Sequence, residues 1–237
     1  MAALPRLLVS RRLPAAVEER AAQGFAARLN PGDVPYEAGR LAELSADADA
    51  LLVTPTDRLD SVLIAALAPT VRIIATFSVG FEHIDLEAVK QRGITVTNTP
   101  GVLTEATADI AMLLLLGAAR RAHEGAAMLR AGAWKGWVPT QLMGRGLTGQ
   151  RLGILGMGRI GQAVARRARA FEMEVHYHNR RRLAPAREDG AVYHAEAETL
   201  LGESRFLSLH CPVTPETHHF LNAGRIALLP AGAVVVN

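Results

Sequence analysis

The stretch RLGILGMGRIG, residues 151–161, sets Gly156, Gly158 and Gly161 in G-x-G-x-x-G spacing directly after an apolar run. The chemistry that calls for this spacing is the binding of a dinucleotide pyrophosphate. Gly156 would make a tight turn, Gly158 would let the phosphates approach the backbone, and Gly161 would let a helix pack against the preceding strand. Free N–H groups at the start of that helix would hold the phosphates. Glycines so spaced also occur in plain turns, but here strand, turn, helix and second strand follow at the required distances.

The end of the second strand selects the dinucleotide. A site for NAD usually presents Asp or Glu about 20 residues beyond the glycines, where the carboxylate accepts hydrogen bonds from ribose hydroxyls and repels a 2′-phosphate. This chain has Asn179 there, followed by Arg180 and Arg181. Guanidinium forks match phosphate geometry, so NADP (NADPH) is the expected cofactor. A solvated basic turn is the alternative.

The elements that must position these groups show in the hydrophobic pattern. Short β-like runs at 6–10, 50–54, 71–77 and 94–98 alternate with helical segments such as DRLDSVLIAALAP, which predicts a parallel sheet covered by helices. The rhythm breaks at Pro100 and Gly101, and one helix is predicted from Thr104 to about Leu129. Apolar residues cover most of its faces, so burial on several sides is expected. A second alternation starts at Arg151, with strands expected at 151–155, 173–178, 191–194, 205–209 and 233–236. The fold class is α/β, with two doubly wound parallel-sheet domains divided at 98/99.

Composition excludes several classes. With 49% apolar and 21% charged residues over 237 positions, the chain is neither disordered nor fibrous. Lys and Arg number 26 against 23 Asp and Glu, and the excess is dispersed, so no nucleic-acid partner is implied. The longest apolar run, 110–119, falls short of the roughly 20 residues of a membrane helix. A single cysteine, Cys211, excludes an internal disulfide and fits a reducing compartment, so a cytoplasmic location is expected. The Arg- and Ala-rich start resembles a transit peptide, but Glu18 and Glu19 intrude and RLLVS reads as a first strand. No metal site is expected, because His218 and His219 lack further ligands at metal spacing. His210 and Cys211 are not read as a catalytic pair, since adjacent strand residues point to opposite faces. Trp134 and Trp137 are expected to pack a loop against the core.

Four segments together, FSVGFEHIDL (77–86), NTPGVLTEATADIAMLLLL (98–116), GILGMGRIG (153–161) and LHCPVTPETHHFLN (209–222), resemble the D-isomer-specific 2-hydroxyacid dehydrogenases. The NRR turn is similar to that of the glyoxylate and hydroxypyruvate reductase branch. The resemblance implies a flavodoxin-like substrate domain over 1–98 and a Rossmann cofactor domain over 99–237, with NADPH reducing a small 2-oxo acid to the D-2-hydroxy acid. It implies that Ser78, Val79 and Gly80 offer backbone N–H groups to the substrate carboxylate. Consecutive N–H groups around a glycine form an anion nest, though SVG also suits a plain strand-end turn. By the same resemblance Thr107 touches the cofactor near its nicotinamide half, Arg159 and Ile160 lie on the pyrophosphate, and Cys211, Pro212 and Thr217 line the adenosine and ribose side. A homodimer through the 104–130 helix is also implied.

The family's catalytic Arg, Glu and His find no counterpart in a matching motif here, and the resemblance puts them beyond Asn237. The second alternation carries five strands where a dinucleotide fold commonly has about six. The Rossmann domain is therefore expected to be incomplete, and the chain to bind NADPH weakly without useful turnover. Two other readings share these motifs: a non-catalytic dinucleotide-binding scaffold, and an NAD-dependent 2-hydroxyacid dehydrogenase such as a phosphoglycerate dehydrogenase.

Overall fold

In the computed structural model, which describes residues 3–237, the chain forms two compact units that divide between Val102 and Leu103. The division falls within the PGVL turn, a short step beyond 98/99.

The first unit contains strands β1 (Arg6–Val9), β2 (Ala26–Arg28), β3 (Ala50–Val53), β4 (Ile73–Thr76) and β5 (Thr95–Thr97). They form one parallel sheet in the order β2-β1-β3-β4-β5, the flavodoxin-like arrangement. Crossovers run through α1 (Ala15–Gly24), α2 (Ala38–Leu44), α3 (Ser61–Ala66) and α4 (Leu86–Gln91). Asp60 and Asp85 cap α3 and α4, accepting from the Leu63 and Ala88 amides at 3.0 Å each. Such caps satisfy amides that have no partner within the helix. Leu51, Ile64 and Ile74 are wholly buried at the centre. Strand β2 is not among the sequence-predicted strands. Its residues AAR carry no β pattern, and pairing with β1 makes the strand.

The second unit opens with α5 (Thr104–Ala119) and α6 (Ala122–Arg130). Its sheet joins β6 (Arg151–Leu155), β7 (Glu174–His178), β8 (Val192–Tyr193), β9 (Phe206–Leu209) and β10 (Val234–Val236) in the parallel order β10-β9-β6-β7-β8. Numbered within the unit this is 5-4-1-2-3, the order of the first five strands of the dinucleotide-binding fold. Helix α7 (Arg159–Ala170) follows the glycine turn, and α8 (Pro185–Glu188), α9 (Ala197–Glu203) and α10 (Ala223–Ile226) complete the unit. Leu152, Ile154, Val164, Tyr177 and Phe206 form its dry centre. Helices α5 and α7 are joined at the surface by Arg167, whose Nε donates to Asp109 at 2.7 Å and whose Nη2 lies 2.8 Å from Glu105.

Three expectations are corrected here. The helix expected from 104 to 129 is two helices, because Arg121 adopts a left-handed conformation at φ 54°. The Arg145 amide takes the Ala119 carbonyl at 2.8 Å, the acceptor a continuing helix would need for residue 123. Burial on several sides also fails within the chain. Ala108, Ala111, Met112, Leu115 and Ala119 face the core, while Ile110, Leu113 and Leu114 are 55%, 62% and 47% exposed. Trp134 and Trp137 do not pack a loop inward either, being 52% and 81% exposed. No helix among the described residues is long and apolar enough to cross a membrane.

Leu152→Ala should destabilise the second unit by about 2–5 kcal/mol, since a wholly buried leucine leaves a cavity. Trp137→Ala should stay within about 0.5 kcal/mol of the parent at the same protein concentration. Urea denaturation of the two variants side by side checks both values.

Candidate dinucleotide-binding site

Strand β6 ends in a turn that no other residue than glycine would form easily. Gly156 has φ 94°, a region costly to any residue with a side chain. A Cβ there would also stand 2.7 Å from the Cys211 nitrogen and from the His210 carbonyl carbon. The turn thus seats directly on the backbone that leaves β9, where the His210 amide donates to the Leu155 carbonyl at 2.8 Å.

The next two glycines face opposite environments. At Gly158, which caps α7 without any side-chain bond, an added Cβ would meet nothing within 4 Å. At Gly161 it would strike the Gly156 carbonyl oxygen and approach the Ile154 side chain at 3.1 Å. Gly158 therefore leaves open space in front of the helix start, and Gly161 lets α7 lie against β6. The first amides of α7 have no partner within the helix and carry the positive end of its dipole, which suits an anion.

Side chains clamp the turn from both sides. Asn179, just past β7, accepts from the Met157 amide at 2.7 Å through Oδ1. Gln162 donates through Nε2 to the Met157 and Gly158 carbonyls, both at 3.0 Å. With those carbonyls occupied and the Gly156 and Met157 amides already donated, what the turn leaves free are the amides that open α7.

The three consecutive arginines after Asn179 separate into two roles. Arg182 grips Glu188 by a forked pair, Nε to Oε1 at 2.8 Å and Nη2 to Oε2 at 3.1 Å. Tyr177, wholly buried, donates to the same Oε1 at 2.6 Å and accepts from the Leu183 amide at 3.0 Å. These donors, Arg182 first, hold the Glu188 carboxyl below its ordinary pKa. Arg180 and Arg181 have no carboxylate within salt-bridge distance among the described residues, and both line an open cleft of about 920 Å3.

That cleft brings together eight of the sequence-predicted residues: Gly156, Gly158, Asn179, Arg180, Arg181, Cys211, Pro212 and Thr217. Thr217 closes its own loop, donating to the Pro212 carbonyl at 2.6 Å and accepting from the Thr214 amide at 2.7 Å. Burial raises the Cys211 thiol and lowers His210 to about 4, so both are neutral near pH 7. The His210 ring is further held by Ser208 Oγ at 2.8 Å from Nε2. Arg159 and Ile160 open α7, Gly161 is buried behind the turn, and Thr107 lies half-buried on α5; none of the four lines the cleft. Sequence reasoning missed Arg187, Glu198, Phe220 and Arg225 on its walls. Arg225 stacks 4.2 Å over the Phe220 ring and bonds Glu198 at 3.0 Å through Nε. No motif marks these four, because they meet only after folding.

In the first unit the loop Ser78, Val79, Gly80 follows β4. Its carbonyls are all taken: Thr99 donates twice to Ser78 O at 2.9 Å, Asn98 Nδ2 to Val79 O at 2.8 Å, and Ser78 Oγ to Gly80 O at 2.6 Å. Since Ser78 Oγ spends its proton on Gly80, Thr76 Oγ1 must donate to it across 2.7 Å and accept from His83 Nε2 at 3.0 Å. The amides of residues 78–80 donate to no acceptor among the described residues. Consecutive amides without partners are groups that suit an anion.

Comparisons with known proteins agree with this geometry. The family model of the D-isomer specific 2-hydroxyacid dehydrogenase, NAD binding domain, matches residues 112–237. The glycerate dehydrogenase of Hyphomicrobium methylovorum is 42% identical over 234 residues, covering 98% of this chain and 73% of that protein. The glyoxylate reductase of Thermococcus litoralis is 41% identical over 237 residues, covering 98% and 71%. A glyoxylate reductase structure from Paecilomyes thermophila superposes with a TM-score of 0.86 at 33% identity, covering 100% of this chain and 74% of that one. The chain belongs to the D-isomer-specific 2-hydroxyacid dehydrogenase family, an enzyme family that acts on small 2-oxo acids. Its second unit is a nicotinamide-dinucleotide-binding domain.

The Glu188 contacts carry a pH signature. A carboxyl whose folded pKa lies below its unfolded value contributes stability above the unfolded pKa and loses it as pH falls through the folded one. Acidification through the carboxylate range should therefore lower the melting temperature, and Glu188→Gln should melt lower at neutral pH with a flatter acid limb. Thermal melts of both proteins across that range give the comparison.

Proposed function

We propose that this chain uses NADPH rather than NADH and serves the reduction of a small 2-oxo acid of the glyoxylate or hydroxypyruvate type to the D-2-hydroxy acid. The observation that carries the cofactor choice is the pair Arg180 and Arg181, which lines the cleft beyond β7 without carboxylate partners. A 2′-phosphate would supply the missing anion, whereas NADH brings none. Asn179, in the position where NAD sites usually carry an acid, spends its side-chain oxygen on the Met157 amide.

When bound, NADPH supplies a hydride. The chain's own residues bind and orient. Amides at the start of α7, led by Arg159 and Ile160, would hold the pyrophosphate behind Gly158, with Cys211, Pro212 and Thr217 beside the adenosine and ribose. Thr107 would approach the nicotinamide half, in keeping with the resemblance. The amides of Ser78, Val79 and Gly80 would receive the substrate carboxylate, their orientation set by the His83, Thr76 and Ser78 hydrogen-bond chain. None of these assignments supplies the proton that a nascent alkoxide needs. His210 is unsuited to it, because burial keeps its ring neutral and Ser208 holds it.

Fluorescence titration tests the reading. NADPH should bind about tenfold to several-hundredfold more tightly than NADH, and the double variant Arg180→Ala with Arg181→Ala should erase that preference while leaving NADH binding unchanged. Equal affinities in the parent would remove both arginines from the cofactor site. In the same assays the 237-residue chain should oxidise NADPH only slowly when glyoxylate or hydroxypyruvate is added. Turnover at an ordinary enzymatic rate would place a proton donor among the residues given binding roles here.

The exposed stripe Ile110, Leu113 and Leu114 on α5, at helical spacing, supports a homodimer through the 104–130 region. Light scattering at micromolar concentration should report a dimer, and Leu113→Lys should shift it toward monomer.

A further inference from the structure

Outside the cleft, three side chains from separate elements converge on one point of the second unit. His176 lies on β7, His194 follows β8, and Glu203 ends α9. His176 Nδ1 is 2.9 Å from His194 Nε2 and 3.9 Å from Glu203 Oε2, and the potential ligand atoms all lie within 4.8 Å of one another. We propose that His176, His194 and Glu203 form a binding site for a borderline divalent transition-metal ion, Zn2+ in the first instance.

The donor set argues for the ion. Two imidazole nitrogens and one carboxylate oxygen suit zinc and its neighbours, whereas calcium and magnesium take oxygen ligands. Zinc bonds of about 2.0–2.1 Å to nitrogen at tetrahedral angles separate two nitrogens by about 3.3 Å. His176 and His194 need open by only a few tenths of an ångström, while Glu203, its Oε2 at 3.9 Å from His176, makes the larger inward movement. The carboxylate is half exposed and free to make that movement.

The histidine tautomer is already set for metal. Thr199 Oγ1 donates to the Glu196 carbonyl at 2.8 Å, so toward His194 Nδ1 at 3.0 Å it can only accept. His194 therefore carries its proton on Nδ1 and aims the lone pair of Nε2 at His176, whose Nδ1–H it receives. Outer partners that orient a histidine in this way are the usual support of metal ligands. The ion would take the place of that shared proton, with His176 moving its proton from Nδ1 to Nε2, so no net proton change is required. Opposing it is Arg151, whose Nη1 donates to Glu203 Oε2 at 2.8 Å while its Nε reaches Glu174 at 3.2 Å. The oxygen near His176 is the one Arg151 holds, so guanidinium and ion compete for Glu203 Oε2, and removal of the guanidinium should favour binding.

The position gives the ion an effect. His178, two residues along the same face of β7 and on the cleft wall, shares a contact of 3.0 Å between its Nδ1 and the His194 carbonyl. An ion at His194 would join β7, the end of β8 and α9, and so brace the wall that carries His178, Glu196 and Glu198.

Isothermal titration of the chelator-treated 237-residue protein with Zn2+ tests the site. A single saturable equivalent is expected in the micromolar range, with Co2+ giving the intense visible bands of a low-coordinate nitrogen and oxygen site. His194→Ala should weaken Zn2+ by about tenfold or more, Glu203→Gln should weaken it less, and Arg151→Ala should strengthen it. The double variant His218→Ala with His219→Ala controls for the stacked surface pair and should leave affinity unchanged. Circular dichroism and thermal melts without metal verify that His194→Ala, which alters a half-buried residue, still folds. Absence of saturable binding, or binding within twofold of the parent in folded His194→Ala, overturns the proposal.

Discussion

The second unit depends on one close approach, the seating of Gly156 on the backbone of His210 and Cys211. Because no side chain intervenes, β6 can turn into α7 at the level where β9 ends, and the ends of β6, β7 and β9 open on one edge. The Gly156 amide also donates to the His178 carbonyl at 3.0 Å, so the turn is fastened to β7 as well. Any residue larger than glycine would force the turn off β9 and close the space that Gly158 keeps open. The cleft is thus a product of backbone contact more than of side-chain chemistry.

Electrostatics then distinguishes residues that are identical in type. Three adjacent arginines have equal intrinsic charge, yet Arg182 is neutralised by Glu188, which Tyr177 also holds, while its two predecessors line the cleft with no carboxylate partner among the described residues. The fork to Glu188 also pins the chain leaving β7, which limits where Arg180 and Arg181 can reach. Arg225 shows the opposite case, a cleft-wall arginine already satisfied by Glu198 and the Phe220 ring. Counting arginines on a wall would overstate its appetite for phosphate, and counting partners corrects it.

Much of this was legible from local pattern. Strands and helices that bury one continuous face announce themselves by period, and the glycine turn announces itself by spacing, as at residues 151–161. Where reading failed, the cause was a distant partner. Helix α5 stops because the Arg145 amide takes the Ala119 carbonyl, and nothing in the residues 104–129 signals an amide so far along the chain. Strand β2 exists because β1 offers it a free edge. The apolar residues of 104–129 imply burial on several sides, but within the chain the stripe Ile110, Leu113 and Leu114 faces outward, since composition does not say whether the chain itself covers a face.

The sequence by itself determined the class of fold, the place of the glycine turn and the absence of an acid after the second strand of the second unit. These are local properties, set by period, by glycine and by the residue at one position. Only the tertiary structure decided which arginine is free, that Asn179 is spent on the Met157 amide, and that His176, His194 and Glu203 meet. Those facts depend on registers such as Leu155 opposite His178 and Tyr177 opposite Tyr193. Register joins residues far apart in the chain, and the energy that selects it is shared over a whole buried sheet, so no short stretch of sequence can carry it.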